Sequence, residues 1–217
     1  MKKLTKKEVL ADIAALPENY KTRHVDALIK RYVKEGCDVS DLRDSVLSEQ
    51  RLHRIYYYTS LKQLHDPSQR LRFIDENLLF SDWWHTDQLI NFVSKADFNE
   101  ALSYAKRYVE DEDPFVRRWG YVMFISKLCR DRGRVGSIFS LMKNDDEYYV
   151  QMAQAWLIAE LAVFHSEEAY EFLSNEGTLR YSITGKAIQK ICDSFRVSAE
   201  DKQRFRALRP ALKAQES

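Results

Sequence analysis

Between Lys21 and Glu35 the apolar residues Val25, Leu28, Ile29, Tyr32 and Val33 fall on one helical face, and the pattern stops at Gly36, a residue suited to ending a helix. From Ser40 to Leu64, Leu42, Val46, Ile55 and Leu61 point inward on one or two further helices. Beyond them the boundaries are set by caps. Asp66-Pro67 and Asp113-Pro114 each place an acceptor before a proline at the first helical position, where a missing N–H costs nothing. Ser81/Asp82, Asp97, Asp145/Asp146, Ser166 and Ser198 read as further N-caps, several followed by acids that suit the positive end of a helix dipole. The punctuation cuts residues 66–195 into short helices alternating with longer ones.

An internal repeat supports the cut. Asp111-Glu-Asp-Pro-Phe-Val116-Arg-Arg superposes on Asp145-Asp-Glu-Tyr-Tyr-Val150-Gln-Met at an offset of 34, with Phe115 on Tyr149 and Val116 on Val150, and the same offset carries Ala153 onto Ala187. Periods of this size signal solenoids, in which each helix pair buries its neighbour's apolar face. The predicted second helices run over about 82–95, 114–131, 146–164 and 181–194, and second helices line the concave side of such arrays. The expected fold is therefore all-α, an α-α superhelix of HEAT-like repeats with a concave groove. One domain is expected over 1–217, with N-terminal helices over about 5–65, clear repeat pairs over about 66–195 and a basic capping helix over about 199–208.

Composition narrows the picture without changing it. The 217 residues suffice for one core, and the scarcity of Gly (six) and Pro (four) favours helix over a turn-rich β fold. Charge is balanced, 34 Lys+Arg against 33 Asp+Glu, so any attraction to phosphate must come from segregation of charge on one face. Cys37, Cys129 and Cys192 are odd in number and far apart, with no metal-ligand spacing, which points to reduced thiols and no metal. The basic N-terminus is interrupted by Glu8 and Asp12 and no segment nears the length of a membrane span, so a cytoplasmic chain with no membrane partner is expected. No glycine-rich phosphate loop is present, so no cofactor is expected, and a monomer is expected.

Candidate chemistry falls on the second helices. In Asp82-Trp83-Trp84-His85-Thr86-Asp87, Trp83 and Asp87 are four apart and share a face with Ile90, while His85 reads as an exposed neighbour. Arg118 shares a face with Phe115, Val122 and Ile125, and Trp156 shares one with Glu160 and Val163. An aromatic-acid pair, an arginine and a second aromatic would converge on one concavity. Such a site suits a cationic substrate: aromatic faces attract positive charge, and a carboxylate in a partly dry site stabilises a developing cation. Loss of an alkylated, cationic base from its sugar passes through such a state, and Arg118 would meet a phosphate. The bland alternatives are a core Trp, an Asp87 that pairs with an arginine, and Arg117-Arg118 bonded to a preceding Asp.

The order Gly36, Leu42-Arg43, Trp83-Trp84-His85-Thr86-Asp87, Asp113-Pro-Phe-Val-Arg-Arg118, Tyr148-Tyr149-Val150-Gln151 and Ala155-Trp156 resembles the AlkD-like DNA alkylation repair family over about residues 20–195. The resemblance implies a helical-repeat fold that grips double-stranded DNA and excises bases such as 3-methyladenine and 7-methylguanine without metal. It implies that Asp87 stabilises the sugar cation and helps position water, that Trp83 and Trp156 pack against the lesion's sugar and backbone, and that Arg118 is a groove arginine. Arg117 and Trp84 join these as candidate DNA contacts. Aligning the double Trp as a unit instead puts Gln88 at the acid position. Met152 and Ala159 stand where the family commonly has Lys and Arg, and Gly185-Lys186-Ala187 replaces an Arg-Glu-Ala pattern, so weaker DNA affinity and salt dependence are expected.

Three readings follow: a glycosylase for alkylated purines, a non-catalytic relative that recognises damaged or branched DNA, and a HEAT-like protein-interaction scaffold. DNA binding asks that Lys106, Arg107, Arg117, Arg118, Lys127, Arg130, Arg180 and Lys186 share the face of the groove.

Overall fold

The structure, a computed structural model, describes residues 2–175 and 179–214; the expected domain limits at 1 and 217, and residues 176–178 within the expected repeat span, lie outside them. Among the described residues the chain is all-α, its only extended pairing being an isolated parallel bridge between Lys3 and Asp38. It divides into two compact units, Met1–Ser81 and Asp82–Ser217.

In the first unit, α1 (Lys6–Ala14) opens on a reciprocal cap: Glu8 N–H donates to Thr5 Oγ1 at 3.3 Å and Thr5 N–H to Glu8 Oε2 at 2.7 Å. The α2 helix (Thr22–Lys34) buries Val25, Leu28, Ile29 and Tyr32 and stops at Gly36, whose φ of +61° is the left-handed conformation that side chains disfavour. A 3-10 turn (Ser40–Ser45) leads to α3 (Gln50–Gln63), which packs on α2 and is tied to it by a two-pronged Arg54–Asp26 pair at 2.8 and 3.1 Å. Leu42, Val46, Ile55 and Leu61 are all buried, as the apolar pattern predicts. After α4 (Pro67–Asp75), Asn77 closes the unit: its Oδ1 accepts from Tyr56 Oη at 2.7 Å and Arg43 Nε at 2.8 Å, and its Nδ2 donates to Phe73 O at 2.8 Å. A buried amide held by three hydrogen bonds favours one packing, because a slip would strand a desolvated polar group.

The second unit holds α5 (Trp83–Asp87), α6 (Phe98–Tyr108), α7 (Pro114–Val122), α8 (Val135–Phe139), α9 (Tyr148–Phe164), α10 (Ser166–Ser174), α11 (Tyr181–Asp193) and α12 (Ala199–Ala214). Helices α5, α7, α9 and α11 pack in that order, each on the next, while α6 lies on α7, α10 on α9, and α12 on both α10 and α11. Apolar on every side, α9 is the unit's central helix, with Ala153, Leu157, Ile158, Leu161 and Ala162 buried. The repeat register is visible as contact: Phe115 and Tyr149, matched at the offset of the two segments, stand with ring centroids 5.8 Å apart.

Asp66, Asp82, Asp97 and Asp113 accept from N–H groups of the first turns of α4, α5, α6 and α7, and Ser198 Oγ accepts from Asp201 N in α12. Other expected boundaries move. The 82–95 helix is only α5 followed by a 3-10 turn at Ile90–Phe92, since three residues per turn align Ile90 and Val93, both buried, on one side. The 114–131 helix ends at Val122, and the residues from Tyr121 to Phe124, all fully buried, are followed by turns and a 3-10 segment at Leu128–Arg130. Glu147, not Asp145 or Asp146, precedes α9, because the Asp145 carboxylate is recruited by Arg117; His165 rather than Ser166 precedes α10. The last helix runs past Leu208 and through Pro210 to Ala214: burial of Leu212 and bonds from Arg209 Nη2 to Gly185 O (3.4 Å) and Gln189 Oε1 (3.2 Å) hold the segment despite the amide hydrogen that proline lacks.

Candidate functional site

The Asp82 carboxylate accepts from Trp83 N–H at 2.6 Å and starts α5, which puts Trp83 in the first turn and Asp87 one turn later on the same side. Asp113-Pro114 starts α7 in the same way, with Phe115 N–H donating to Asp113 Oδ1 at 2.7 Å, so Arg118 emerges one turn in. Packing of α5 on α7 and of α7 on α9 brings the three helix starts together.

Their side chains interlock. Arg118 donates from Nη2 to Asp87 Oδ1 at 2.7 Å, from Nε to the same oxygen at 3.2 Å and to Thr86 Oγ1 at 3.1 Å, and from Nη1 to Tyr149 O at 2.7 Å. The Thr86 hydroxyl lies 2.8 Å from Trp83 O and 3.1 Å from Asp87 Oδ1. All these bonds to the Asp87 side chain end on Oδ1; among the described residues no donor reaches Oδ2. The Asp87 side chain is 19% exposed and that of Arg118 only 5%. A guanidinium clamps one carboxylate oxygen from within the protein, and the carboxylate lies at the protein surface.

What lies outside is a cleft of about 350 Å³ on the α5–α7–α9–α11 layer, lined by Trp83 and Asp87 (α5), Arg118 (α7), Tyr148, Tyr149, Met152 and Trp156 (α9), and Lys190 (α11). The structure thus brings Trp83, Asp87, Arg118 and Trp156 into one hollow. Asp87 lines it and Gln88 does not. Trp83 is 45% exposed, and Tyr148 and Tyr149 are also open to solvent, so one wall is aromatic and accessible.

Three expectations are corrected. Arg118 is not presented to a phosphate: its three donor nitrogens are engaged inside the protein. Arg117 and Trp84 do not line the cleft. Arg117 binds Asp145 at 2.8 Å and the carbonyls of Asp111 and Glu112, and Trp84 stands edge-on against His85 with centroids 4.1 Å apart. His85 is fully buried rather than exposed, and burial pushes its pKa down to about 4, so it is neutral at pH 7.

Of the cations expected to share the groove, Arg118 lines the cleft and Lys186 lies over the ring of Tyr148, a lining residue, at 5.7 Å. Arg180 pairs with Asp146, Arg130 lies over the Phe164 ring, and Lys186 donates to Ser182 O at 2.7 Å and Gln151 Oε1 at 3.2 Å. The small residue at Gly185 has a packing reason: a Cβ there would stand 3.0 Å from the Tyr181 ring. Sequence reasoning missed Lys190, which is half-buried in the cleft and has no ion-pair partner among the described residues; burial, then the nearby Arg118, lowers its pKa. Its signal was its position four residues after Lys186, one turn further along α11.

Among the described residues no three His, Cys, Asp or Glu side chains are grouped so as to hold a metal ion, and no helix is long and apolar enough to cross a membrane. Comparison with known sequences and structures gives one result. No curated protein and no solved structure matches the chain. A family model described as DNA alkylation repair enzyme matches residues 19–191, a span that contains Trp83, Asp87, Arg118, Trp156 and Lys190. The chain belongs to the DNA alkylation repair enzyme family.

Proposed function

We propose that this protein is a DNA glycosylase that receives duplex DNA at the α5–α7–α9–α11 cleft and hydrolyses the bond between deoxyribose and a cationic alkylated purine such as 3-methyladenine or 7-methylguanine. The observation that carries this reading is the state of Asp87. One oxygen is held by Arg118 and Thr86 and among the described residues no donor reaches the other, in a cleft walled by Trp83 and Trp156.

A purine alkylated on a ring nitrogen already carries positive charge, so it leaves as a neutral base, taking the electron pair of the C1′–N bond. Positive charge then passes to C1′ and the ring oxygen of the sugar. A fixed carboxylate oxygen beside that centre stabilises the transition state without reorganising, because Arg118 and Thr86 already hold the group in place. The same oxygen accepts a proton from the water that adds to C1′. Trp83 and Trp156 give the sugar and the departing base polarisable walls that exclude bulk water and favour positive charge. Arg118 is a positioning residue here, acting through Asp87.

The non-catalytic DNA-binding reading is favoured by one observation, the 2.7 Å Arg118–Asp87 contact, in which the guanidinium offsets part of the charge the chemistry needs. One experiment separates the two: release of 3-methyladenine and 7-methylguanine from alkylated duplex DNA by wild type and Asp87→Asn, with DNA binding recorded in parallel. Release by wild type, and binding without release by Asp87→Asn, is the expected result. A wild-type protein that binds the DNA and releases no base ends the catalytic reading.

A further inference from the structure

Beside the cleft lies a second hollow of about 400 Å³, formed by Trp156 and Glu160 of α9, Lys190 and Asp193 of α11, and Phe195 and Arg196 of the turn that follows. Trp156 and Lys190 line both hollows, so the two sites are contiguous across these side chains.

Phe195 is 93% exposed. A ring this open forgoes roughly 2 kcal/mol of burial energy. The turn that carries it is nevertheless fastened on both sides. Arg196 binds the Glu160 carboxylate with two nitrogens, one at 2.9 Å, Val197 is buried, and Ser194 N–H donates to Lys190 O at 3.1 Å. The ring is therefore held out by anchored neighbours at the edge of the hollow.

The charges follow the same division between committed and available groups. Glu160 is taken up by Arg196, and Asp193 Oδ1 accepts from Gln189 Nε2 at 2.8 Å. Lys190, at the border of the two hollows, has no carboxylate within ion-pair distance among the described residues; burial and the nearby Arg118 disfavour its charge, and Asp193 and Asp87 support it only through space. A partly desolvated ammonium with no partner gains most from an anion that arrives with the ligand.

We propose that the second hollow is a nucleotide subsite, in which Phe195 stacks on an unstacked base next to the nucleotide facing Asp87 and Lys190 binds the phosphate that joins the two. The proposal rests on the DNA-binding reading above and adds to it a second hollow that meets the first at Trp156 and Lys190. An aromatic ring beside a backbone-tracking cation is the combination that binds nucleotides without regard to sequence, since every base has a face to stack and every linkage a phosphate.

The test is equilibrium binding to a duplex carrying a tetrahydrofuran abasic analogue, measured by fluorescence anisotropy at several salt concentrations, for wild type, Phe195→Ala, Phe195→Trp and Lys190→Gln. Phe195→Ala is expected to bind about 10-fold more weakly with an unchanged salt slope, since stacking releases no counterions. Phe195→Trp restores the affinity. Lys190→Gln lowers the magnitude of the slope of log K against log salt by about 0.9, the loss of one phosphate contact. The exposure of Phe195 means that its substitution should leave the thermal midpoint where it is, which a melt of each variant checks. Wild-type affinity and slope in both Phe195→Ala and Lys190→Gln overturn the subsite alone. A wild-type protein that binds no DNA overturns the subsite together with the DNA-binding reading.

Discussion

Arg117 and Arg118 are neighbours on α7, each bound to an aspartate from another part of the chain, and the two pairs end up doing opposite things. At Asp145 both oxygens are used: Oδ2 accepts from Arg117 Nε at 2.8 Å, and Oδ1 from Arg117 Nη2 at 3.3 Å and Glu147 N–H at 2.9 Å. That side chain is 5% exposed, and the pair locks the start of α9 against α7. At Asp87 every bond from the described residues converges on Oδ1, and the group opens onto an aromatic cleft. Two Arg–Asp contacts of nearly equal length are thus distinguished by what remains after pairing. A carboxylate with no capacity left is a fastener; one with an oxygen to spare, held rigidly, is equipped to meet a substrate.

The sharpest way to break that contrast is to remove the charge from each aspartate in turn. Asp87→Asn is expected to lower base release about 100- to 1,000-fold, the cost of losing one preorganised charge at a transition state, with DNA affinity close to wild type and a stability loss smaller than that of Asp145→Ala, because the amide oxygen still accepts from the buried Arg118. Asp145→Ala should do the reverse. It strands a largely buried guanidinium that keeps only two carbonyl acceptors, and unfolding in urea should show a loss of about 3 kcal/mol, with the rate per folded molecule unchanged. If Asp87→Asn melts early and Asp145→Ala loses activity without losing stability, the division between fastener and reactive group is wrong.

The same contrast marks the limit of what could be read from the residues alone. Asp82, Asp97 and Asp113 were legible as helix starts because an N-cap is a local device, complete within three residues. Trp83, Asp87, Arg118 and Trp156 were legible as a converging set because helical spacing and the 34-residue repeat place them on consecutive members of one layer. Asp145 looks like a cap for the same local reason, and only the approach of Arg117 from 28 residues earlier turns it to another use. The one local signature of Lys190 is its place a turn after Lys186, and it becomes a cleft residue only once α11 has packed on α9. The short α5 and α7 were hidden because both are followed by apolar residues compatible with helix; burial of Ile90 and Val93, three apart, suits a 3-10 turn, and burial at every position from Tyr121 to Phe124 leaves no polar helix face.

His85 sharpens the comparison from the back of the site. It sits between Thr86 and Trp84, its ring is buried, and burial has moved its pKa from an ordinary value near 6.5 to about 4. The unfolded chain therefore takes up a proton at a pH where the folded protein does not. Stability from this residue is complete above about pH 6.5 and is lost as the pH falls toward 4, by about 2 kcal/mol at pH 4.5. Urea unfolding at pH 7 and pH 4.5 should show that increment in wild type and not in His85→Gln. Equal losses in the two proteins would assign the acid sensitivity to other groups.

The smallest of these effects is the most informative about geometry. Trp156→Ala is expected to lower kcat/KM for base release about 10-fold, a stacking contribution of ordinary size, whereas Trp84→Ala, which does not line the cleft, should leave kcat unchanged. The division of the Trp156 loss between the two constants locates the ring. Positive charge begins on the alkylated base and moves to the sugar as the C1′–N bond breaks. An aromatic face against the base attracts the substrate more than the transition state, so its removal raises KM; a face against the sugar meets the charge only as it arrives, so its removal lowers kcat. Asp87 and Trp156 line one cleft, and in the proposed reaction the carboxylate meets charge on the sugar. The expected result is a fall in kcat at nearly constant KM, and a rise in KM alone would move Trp156 to the base side of the site.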